Sequence, residues 1–291
     1  MFTNLHNLPD PVVKALSDDK YDSGQVNSSV TTLIDSPQVK ILNRKHKDDI
    51  TIDVTERLWS VLGTAVHTMF EDYATGDYLS EERLFTEVNG WKISGAIDIQ
   101  KTEKDGTVSI LDYKCTSVWS VIFGKSSWEQ QLNFYAWLVQ ECKGLKVSKL
   151  QILAVLRDWK QSEADFKSDY PKQPIMTIDI PLWETSQQEE FVRQRVQLHQ
   201  QAEFDYLNGD PIAECTADET WMRATKFAVM KKGRKRAIKL HDDEADAMNH
   251  AESLDKTHYV EKRQGEAVRC EKYCAVATFC PQYQRSKNAG D

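Results

Sequence analysis

The amino-acid sequence predicts an α/β fold: a mixed central sheet flanked by helices, followed by a small cysteine-containing segment at the C-terminal end. The alternation of two sequence patterns predicts this class. Short apolar runs bounded by turn signals alternate with longer stretches whose apolar residues recur at helical spacing. Strands that alternate with helices form a sheet with the helices packed on it. Three cysteines within residues 270–280 distinguish the last segment from the rest of the chain.

The elements follow in order along the chain. Apolar residues at helical spacing predict a helix through ERLWSVLGTAVHTMFEDYA, with Thr55 as its cap. Strands are expected at about 82–89, 91–101 and 107–115, because Asn89-Gly90 and Asp105-Gly106 are hairpin and turn signals. A second helix, WEQQLNFYAWLVQEC, has Ser127 as its candidate cap. Strands LQILAVLRDW and IMTIDIPLW, a polar loop at 156–174 and a helix at about 184–208 complete this part.

Length and composition are compatible with a cytoplasmic protein that has one large domain and a smaller appendage. The 291 residues are enough to bury a full core. The first ten residues lack a charged-then-apolar signal pattern, and no apolar run approaches the ~18 residues of a membrane span. We therefore expect no membrane association, and reduced cysteines whose clustering points to metal rather than to disulfides.

Two carboxylates and a lysine lie at the ends of two paired strands. Asp98 ends GAID, and Asp112 and Lys114 belong to LDYK in the next strand. Neighbouring carboxylates repel each other unless a cation lies between them, and hard oxygen ligands suit Mg²⁺ or Mn²⁺. Such an ion polarises a phosphodiester and acidifies water, while a lysine offsets negative charge in the transition state. A surface hairpin with acids at its ends would show the same residues.

Four further residues lie near these acids in the expected order of elements. His67 is on the first helix, and Glu87 is in the strand that precedes the Asn89-Gly90 turn. Gln131 and Tyr135 are one turn apart on the second helix and share a face. Taken singly, the histidine also fits a packed core position, and the glutamine and tyrosine fit a half-buried helix face.

The motifs GTAVH, Glu87, GAID, LDYK and QLNFYA, in that order, resemble the PD-(D/E)XK nuclease superfamily. They are most similar to its RecB-type and phage exonuclease-like branch, over residues 28 to 156 and more loosely over the whole chain. The resemblance implies a restriction-endonuclease-like fold. It also implies a nuclease core at residues 1–209 and, beyond Asn208-Gly209-Asp210-Pro211, a C-terminal segment at 210–291.

The resemblance also implies roles for the site residues. His67, Asp98, Asp112 and the main-chain carbonyl of Tyr113 would bind the divalent metal, and Lys114 would position the attacking water. Glu87 would be an accessory acid, and Gln131 with Tyr135 would support the lysine and the nucleic-acid backbone. Because Mn²⁺ accepts mixed nitrogen and oxygen ligands more readily than Mg²⁺ does, we expect activity with Mn²⁺ to equal or exceed that with Mg²⁺.

The expected activity is that of a metal-dependent deoxyribonuclease, an exonuclease on linear DNA in phage-type recombination, replication or repair. DNA is the expected partner, together with a single-strand annealing or binding protein, in a bacterial host cytoplasm if the gene is phage-encoded. The alternative is a DNA-binding protein that keeps the nuclease-like fold with little or no turnover. A third possibility is a non-nuclease protein whose cysteine-bearing segment is a docking element.

The formal net charge of −8 is unfavourable for binding DNA, but the basic residues are concentrated in one segment, where they can form a local positive surface. Residues 221–240 contain eight basic residues and no acids, and FAVMKKGRKRAIKL predicts two short strands around Gly233. A hairpin that grips phosphates and a solvated turn both fit this pattern. The candidate DNA-binding residues are Lys231, Lys232, Arg234, Lys235 and Arg236.

Three cysteines, Cys270, Cys274 and Cys280, have a spacing compatible with ligands of one metal centre. Related nucleases often hold an iron-sulfur cluster with one N-terminal and three C-terminal cysteines. This chain departs from that pattern, because SPQ at 36–38 stands where those relatives have Cys-Pro-Arg. Either no centre forms, or Cys215 is the fourth ligand of a 4Fe-4S cluster, or the set binds Zn²⁺.

Overall fold

The computed structural model of the protein describes residues 1–18 and 25–288. The chain divides into two compact units, one formed by Met1–Pro37 and Thr51–Ile212 and the other by Gln38–Ile50 and Ala213–Asp291. The second unit thus takes in a short N-terminal stretch as well as the C-terminal one, and the predicted domain boundary at residue 209 stays a prediction. Within the described ranges, none of the helices combines the length and apolar character that crossing a bilayer requires.

The strands are β1 (Phe2–Thr3), β2 (Ser28–Ser29), β3 (Ile52–Asp53), β4 (Tyr78–Val88), β5 (Trp91–Thr102), β6 (Val108–Thr116), β7 (Val147–Leu156), β8 (Ile175–Ile180), β9 (Met222–Arg223), β10 (Lys226–Lys231), β11 (Lys239–His241), β12 (His258–Arg263) and β13 (Glu266–Ala267). The helices are α1 (Asp10–Ser17), α2 (Val30–Leu33), α3 (Pro37–Lys45), α4 (Leu58–Glu71), α5 (Val118–Phe123), α6 (Ser126–Lys143), α7 (Gln161–Phe166), α8 (Thr185–Asn208), α9 (Glu244–Glu252), α10 (Val268–Lys272) and α11 (Pro281–Asn288). Val54–Arg57 and Ala277–Phe279 are short 3₁₀ helices.

The first unit is built on a mixed sheet, which confirms the predicted α/β class. Its strand order is β2-β5-β6-β7-β8, and β4 also pairs with β5. The β6–β7 and β2–β5 pairs are parallel, while the other pairs in this sheet are antiparallel. The middle of helix α6, from Gln131 to Val139, is buried, and it contributes Leu132, Phe134 and Leu138 to the main apolar core.

The tight turns form where the sequence predicts them. Asn89 and Gly90 both have positive φ, 49° and 77°, as a two-residue turn with the twist of a hairpin requires. Some helix starts differ from the expectation. Asp53, rather than Thr55, caps the 3₁₀ turn that leads into α4, and α6 begins at Ser126 without a side-chain cap. The polar loop at 156–174 contains the short helix α7.

The two halves of β5 have different neighbours on one edge. Residues Ser28 and Ser29 of β2 pair with Ile93 and Ser94, whereas β6 pairs only with the far half, from Ile99↔Leu111 onward. Beyond Leu111, β6 continues to Thr116 paired with β7. The sheet therefore forks between β5 and β6, and Asp98 and Asp112 lie at the point of the fork.

Glycine at position 95 allows α6 to approach this fork closely. A Cβ atom built on Gly95 would lie 2.7 Å from Leu138 Cδ1 and 2.9 Å from Tyr135 Cε1. Separations below 3 Å require the neighbours to move. The small residue in GAID therefore sets the distance between the strand that carries Asp98 and the helix that carries Tyr135.

The second unit contains a three-stranded sheet in the order β11-β10-β12. The antiparallel β10–β11 pair confirms the predicted pair of short strands around Gly233, which has a φ of 82°. The described part of this unit also has a small apolar core of Leu42, Val276, Ala277, Cys280 and Tyr283.

Candidate active site

The fork between β5 and β6 holds two buried carboxylates. Asp98 and Asp112 are 7% and 1% exposed, respectively. Burial raises the pKa of Asp98 to about 7, and the negative charge of Asp112 is the second largest cause of this rise. Two acids in such surroundings are costly unless positive charge compensates them.

Lys114 supplies part of that charge. Its Nζ lies 2.5 Å from Asp112 Oδ2, without the angles of a hydrogen bond, and this carboxylate oxygen has no hydrogen-bond partner. The other oxygen, Oδ1, accepts a hydrogen bond from Gln131 Nε2 at 3.2 Å. This oxygen of the buried carboxylate thus meets a cation, Lys114, and receives no hydrogen bond, which also fits a divalent ion at this position.

Helix α4 brings His67 to the same point. The Tyr113 carbonyl can only accept a hydrogen bond, so His67 Nε2, 3.1 Å away, donates to it. The other ring nitrogen, Nδ1, lies 3.5 Å from Asp98 Oδ2 and 3.7 Å from Glu81 Oε1. A lone pair facing two carboxylates would be repelled, so this nitrogen needs a proton or a metal ion.

The pKa of His67 agrees with that requirement. Burial alone would lower it, but the hydrogen bond with Glu81 and the charges of Asp98 and Asp112 outweigh burial and raise it. One ligand atom each from His67, Glu81 and Asp98 lies within 4.8 Å of the other two. The donor set of one imidazole and two carboxylates suits Mn²⁺ and also accepts Mg²⁺.

The register of the β4–β5 hairpin places Glu81 at this site. The pairs on either side, Ser80↔Ile99 and Glu82↔Ile97, leave Glu81 opposite Asp98. Glu81 has a φ of 51°, which is uncommon for a residue other than glycine and costs about 1–3 kcal/mol. Strained backbone of this kind is concentrated at functional sites, and here it accompanies a carboxylate that faces His67.

Glu87 does not reach the site, which corrects the expectation of an accessory acid there. It is exposed and pairs with Lys92 beside the Asn89-Gly90 turn. The six residues from Glu81 to Glu87 correspond to roughly 20 Å of extended strand. The hairpin register was the sequence signal that could have identified Glu81, because a two-residue turn at Asn89-Gly90 fixes which residue faces Asp98.

Helix α6 supplies the predicted glutamine and tyrosine together. Gln131 Nε2 donates to Tyr135 Oη at 2.9 Å as well as to Asp112, and both side chains are buried. The hydroxyl of Tyr135 is thus linked to the carboxylate of Asp112 through the side-chain amide of Gln131. The Tyr113 carbonyl, which the resemblance makes a metal ligand, is engaged by His67, and its role toward a metal stays a prediction.

The predicted DNA-binding residues lie on the β10–β11 hairpin of the second unit. Lys232, Arg234, Lys235 and Arg236 are exposed, and Lys231 lies 3.5 Å from Asp255. Because β12 pairs along the other edge of β10, the hairpin belongs to a sheet and is not a free ribbon.

Two of the four cysteines in the second unit contact a buried glutamine, and the other two pack on the apolar cluster beside it. The thiols of Cys215 and Cys280 are 3.4 and 3.6 Å from Gln38 Oε1. Cys270 and Cys274 pack against the apolar cluster that contains Cys280. Burial, followed by the charges of Cys274 and Cys280, raises the pKa of the Cys270 thiol. Among the described residues, no three of these sulfur atoms lie within 4.8 Å of one another.

Comparison with known proteins agrees with the fold. The family model described as PD-(D/E)XK nuclease superfamily matches residues 75–281. The chain therefore belongs to the PD-(D/E)XK nuclease superfamily, and the restriction-endonuclease-like fold predicted from its sequence is confirmed. Enzymes of this superfamily hydrolyse phosphodiesters, generally with Mg²⁺ or Mn²⁺.

No curated protein matches the chain. A solved structure, described as the crystal structure of SSO0001, is similar at 18% sequence identity with a TM-score of 0.42. The similarity covers 64% of this chain and 84% of that one. At this level it adds nothing to the assignment of function.

Proposed function

We propose that the protein is a metal-dependent deoxyribonuclease that acts as an exonuclease on linear DNA, in phage-type recombination, replication or repair. The observation that supports this most is the pair of buried carboxylates, Asp98 and Asp112, with Lys114 beside an Asp112 oxygen that receives no hydrogen bond. A protein that only binds DNA would gain nothing from two buried acids that repel each other. The RecB-type and phage-like branch is part of the same proposal.

His67, Glu81, Asp98 and Asp112 are the residues that would hold a divalent ion. When bound, such an ion supplies Lewis acidity and acidifies a water molecule. The residues of the chain supply the rest. His67 is oriented by the Tyr113 carbonyl, and Asp112 by Gln131. The ammonium of Lys114 stabilises negative charge that develops on the phosphate. The exposed basic residues of the β10–β11 hairpin bind the DNA backbone, with a single-strand annealing or binding protein as candidate partner.

The test is timed digestion of end-labelled linear DNA and of closed circular DNA with Mn²⁺ or Mg²⁺. We expect loss of label from linear DNA with the circles intact, and activity with Mn²⁺ at least equal to that with Mg²⁺. The Lys114→Ala variant should lose cleavage while it still binds DNA. Undiminished cleavage by this variant would contradict the assignment, and an inactive wild type that binds DNA would support the alternative of a nuclease-like DNA-binding protein.

We also propose that Cys215, Cys270, Cys274 and Cys280 ligate a 4Fe-4S cluster rather than a single Zn²⁺. The zinc-to-sulfur distance of ~2.3 Å demands sulfur atoms within about 4 Å of one another, and a cubane accepts a wider set. Among the described residues no three of these sulfur atoms lie within 4.8 Å of one another, and this wider spacing supports the cluster. Anaerobically purified protein should be brown, with iron and sulfide in equal amounts, and Cys215→Ser should reduce both. Colourless protein without iron would exclude the cluster.

A further inference from the structure

A pair of exposed aromatic rings lies next to the candidate active site in sequence and on the same unit. Trp119 and Phe123 are on α5, which begins four residues after Lys114. Their ring centroids are 5.7 Å apart with an interplanar angle of 15°, and the side chains are 54% and 79% exposed. Large rings stacked on each other in solvent leave outer faces on which another planar group can stack.

A third aromatic ring and an arginine lie beside the strand that carries Lys114. The guanidinium of Arg157 lies over the ring of Trp59, 4.5 Å from its centroid, and Trp59 is 48% exposed. The backbone N–H of Arg157 donates to the carbonyl of Thr116, two residues after Lys114. The next residue, Asp158, accepts from the N–H of Val118 at the start of α5. These contacts hold Arg157 and α5 together at the end of β6.

Trp59 lies on the same helix, α4, as the proposed metal ligand His67. The two residues are on one helix, eight residues apart, which corresponds to about 12 Å at 1.5 Å per residue. That length is roughly three nucleotides of a stacked strand. A strand whose phosphodiester lies at His67 would therefore have nearby bases within reach of Trp59 and α5.

Basic residues outnumber acids near these rings: Lys114, Lys125 and Arg157 lie there with Asp158, whose carboxylate accepts the N–H of Val118. Lys125 follows α5, and burial together with the charges of Arg157 and Lys114 lowers the pKa of this lysine. The chain has no acidic residue between Asp112 and Glu129. Aromatic faces combined with cations are typical of sites that bind single-stranded nucleic acid, in which bases stack and phosphates meet the charges.

We propose that Trp119, Phe123 and Trp59, with Arg157 and Lys125, form a stacking surface for the unpaired bases of a single DNA strand entering the active site. This rests on the proposed nuclease function and adds its substrate class, a single-stranded end or tail. A protein partner is the competing occupant of exposed aromatic rings, but the surplus of positive charge and the proximity to Lys114 favour the polyanion.

The experiment measures binding of a fluorescent oligothymidylate by anisotropy in EDTA, so that cleavage plays no part. Trp119→Ala/Phe123→Ala should weaken binding by about tenfold or more, given ~1–3 kcal/mol per stacked base. Trp119→Phe keeps a ring and should retain most of the affinity. The matched control is Phe166→Ala, at an 89% exposed ring on α7, which should bind as wild type does.

Blunt duplex DNA of the same length is the second ligand, and its binding should change little in the double variant. Unchanged oligothymidylate binding by the double variant would overturn the proposal, and so would an equal loss on single strands and duplex. The thermal unfolding midpoint should stay that of wild type, because both rings are largely exposed. Failure of the nuclease proposal would appear separately, as absent cleavage by wild type with Mn²⁺.

Discussion

The backbone N–H of Tyr113 donates a hydrogen bond to Asp98 Oδ2 over 2.7 Å. The β5–β6 ladder ends at Ile99↔Leu111, so at Tyr113 the Asp98 carboxylate is the hydrogen-bond acceptor from across the fork. The same residue offers its carbonyl to His67 Nε2. Tyr113 therefore connects the buried acid of β5 with the histidine of α4 through its backbone N–H and carbonyl. Its ring also packs edge-on against the His67 imidazole, with 5.5 Å between the ring centroids.

Exchange of Glu81 for glutamine should weaken binding of Mn²⁺ on the order of tenfold or more, because one charged ligand is removed from a partly buried site. Glu87→Gln is the matched control, with the same charge change on the same strand at an exposed position, and should bind Mn²⁺ as wild type does. Calorimetric titration of both variants measures the difference. Equal affinities for the two variants would remove Glu81 from the site.

Replacement of Gln131 by leucine should destabilise the fold by about 1–3 kcal/mol and lower cleavage, because a buried carboxylate loses a hydrogen-bond donor. Tyr135→Phe should have a smaller effect, since Gln131 can still donate to Asp112. Urea denaturation gives the free energies of unfolding, and single-turnover cleavage gives the rates. A larger loss in the tyrosine variant would contradict the order of contacts from Tyr135 through Gln131 to Asp112.

The Gly95→Ala substitution should lower the free energy of unfolding by about 1–3 kcal/mol, because the new methyl group meets Leu138 and Tyr135 below contact distance. The Gly63→Ala substitution is the control. Gly63 is on α4, and a Cβ there has no neighbour within 4 Å, so this variant should be more stable by roughly 0.5–1 kcal/mol. Thermal and urea unfolding of both variants test the pair, and a stabilised Gly95→Ala would refute the close approach of α6.

The basic hairpin should set the salt dependence of DNA binding. Neutralising Lys232 and Arg234 as glutamines removes two exposed cations and should reduce the slope of log affinity against log salt by about 0.9 for each phosphate that the variant no longer neutralises. Lys104→Gln/Lys146→Gln is the control with the same charge change at exposed positions of the other unit. An identical slope in the two double variants would mean that the hairpin is only a solvated turn.

Much of the fold and part of the site could be predicted from local patterns. The turns at Asn89-Gly90 and Asp105-Gly106 depend on backbone conformations that few residues favour, so the hairpins that carry Asp98 and Asp112 follow from the sequence. The helical spacing of Gln131 and Tyr135 likewise guarantees that they share a face. The exact caps were less predictable, because Asp53 competes with Thr55 through a capping box that depends on Glu56.

The sequence by itself determined the class of fold and the superfamily, because these depend on short-range periodicity and on motif order. It also predicted Asp98, Asp112 and Lys114 as site residues. Only the tertiary structure decided that β5 and β6 diverge at Asp98 and that Glu81 rather than Glu87 faces His67. It also decided that His67 Nδ1 faces the carboxylates of Glu81 and Asp98. These depend on strand register, on one left-handed residue and on the packing of α4, which are set by contacts between distant parts of the chain.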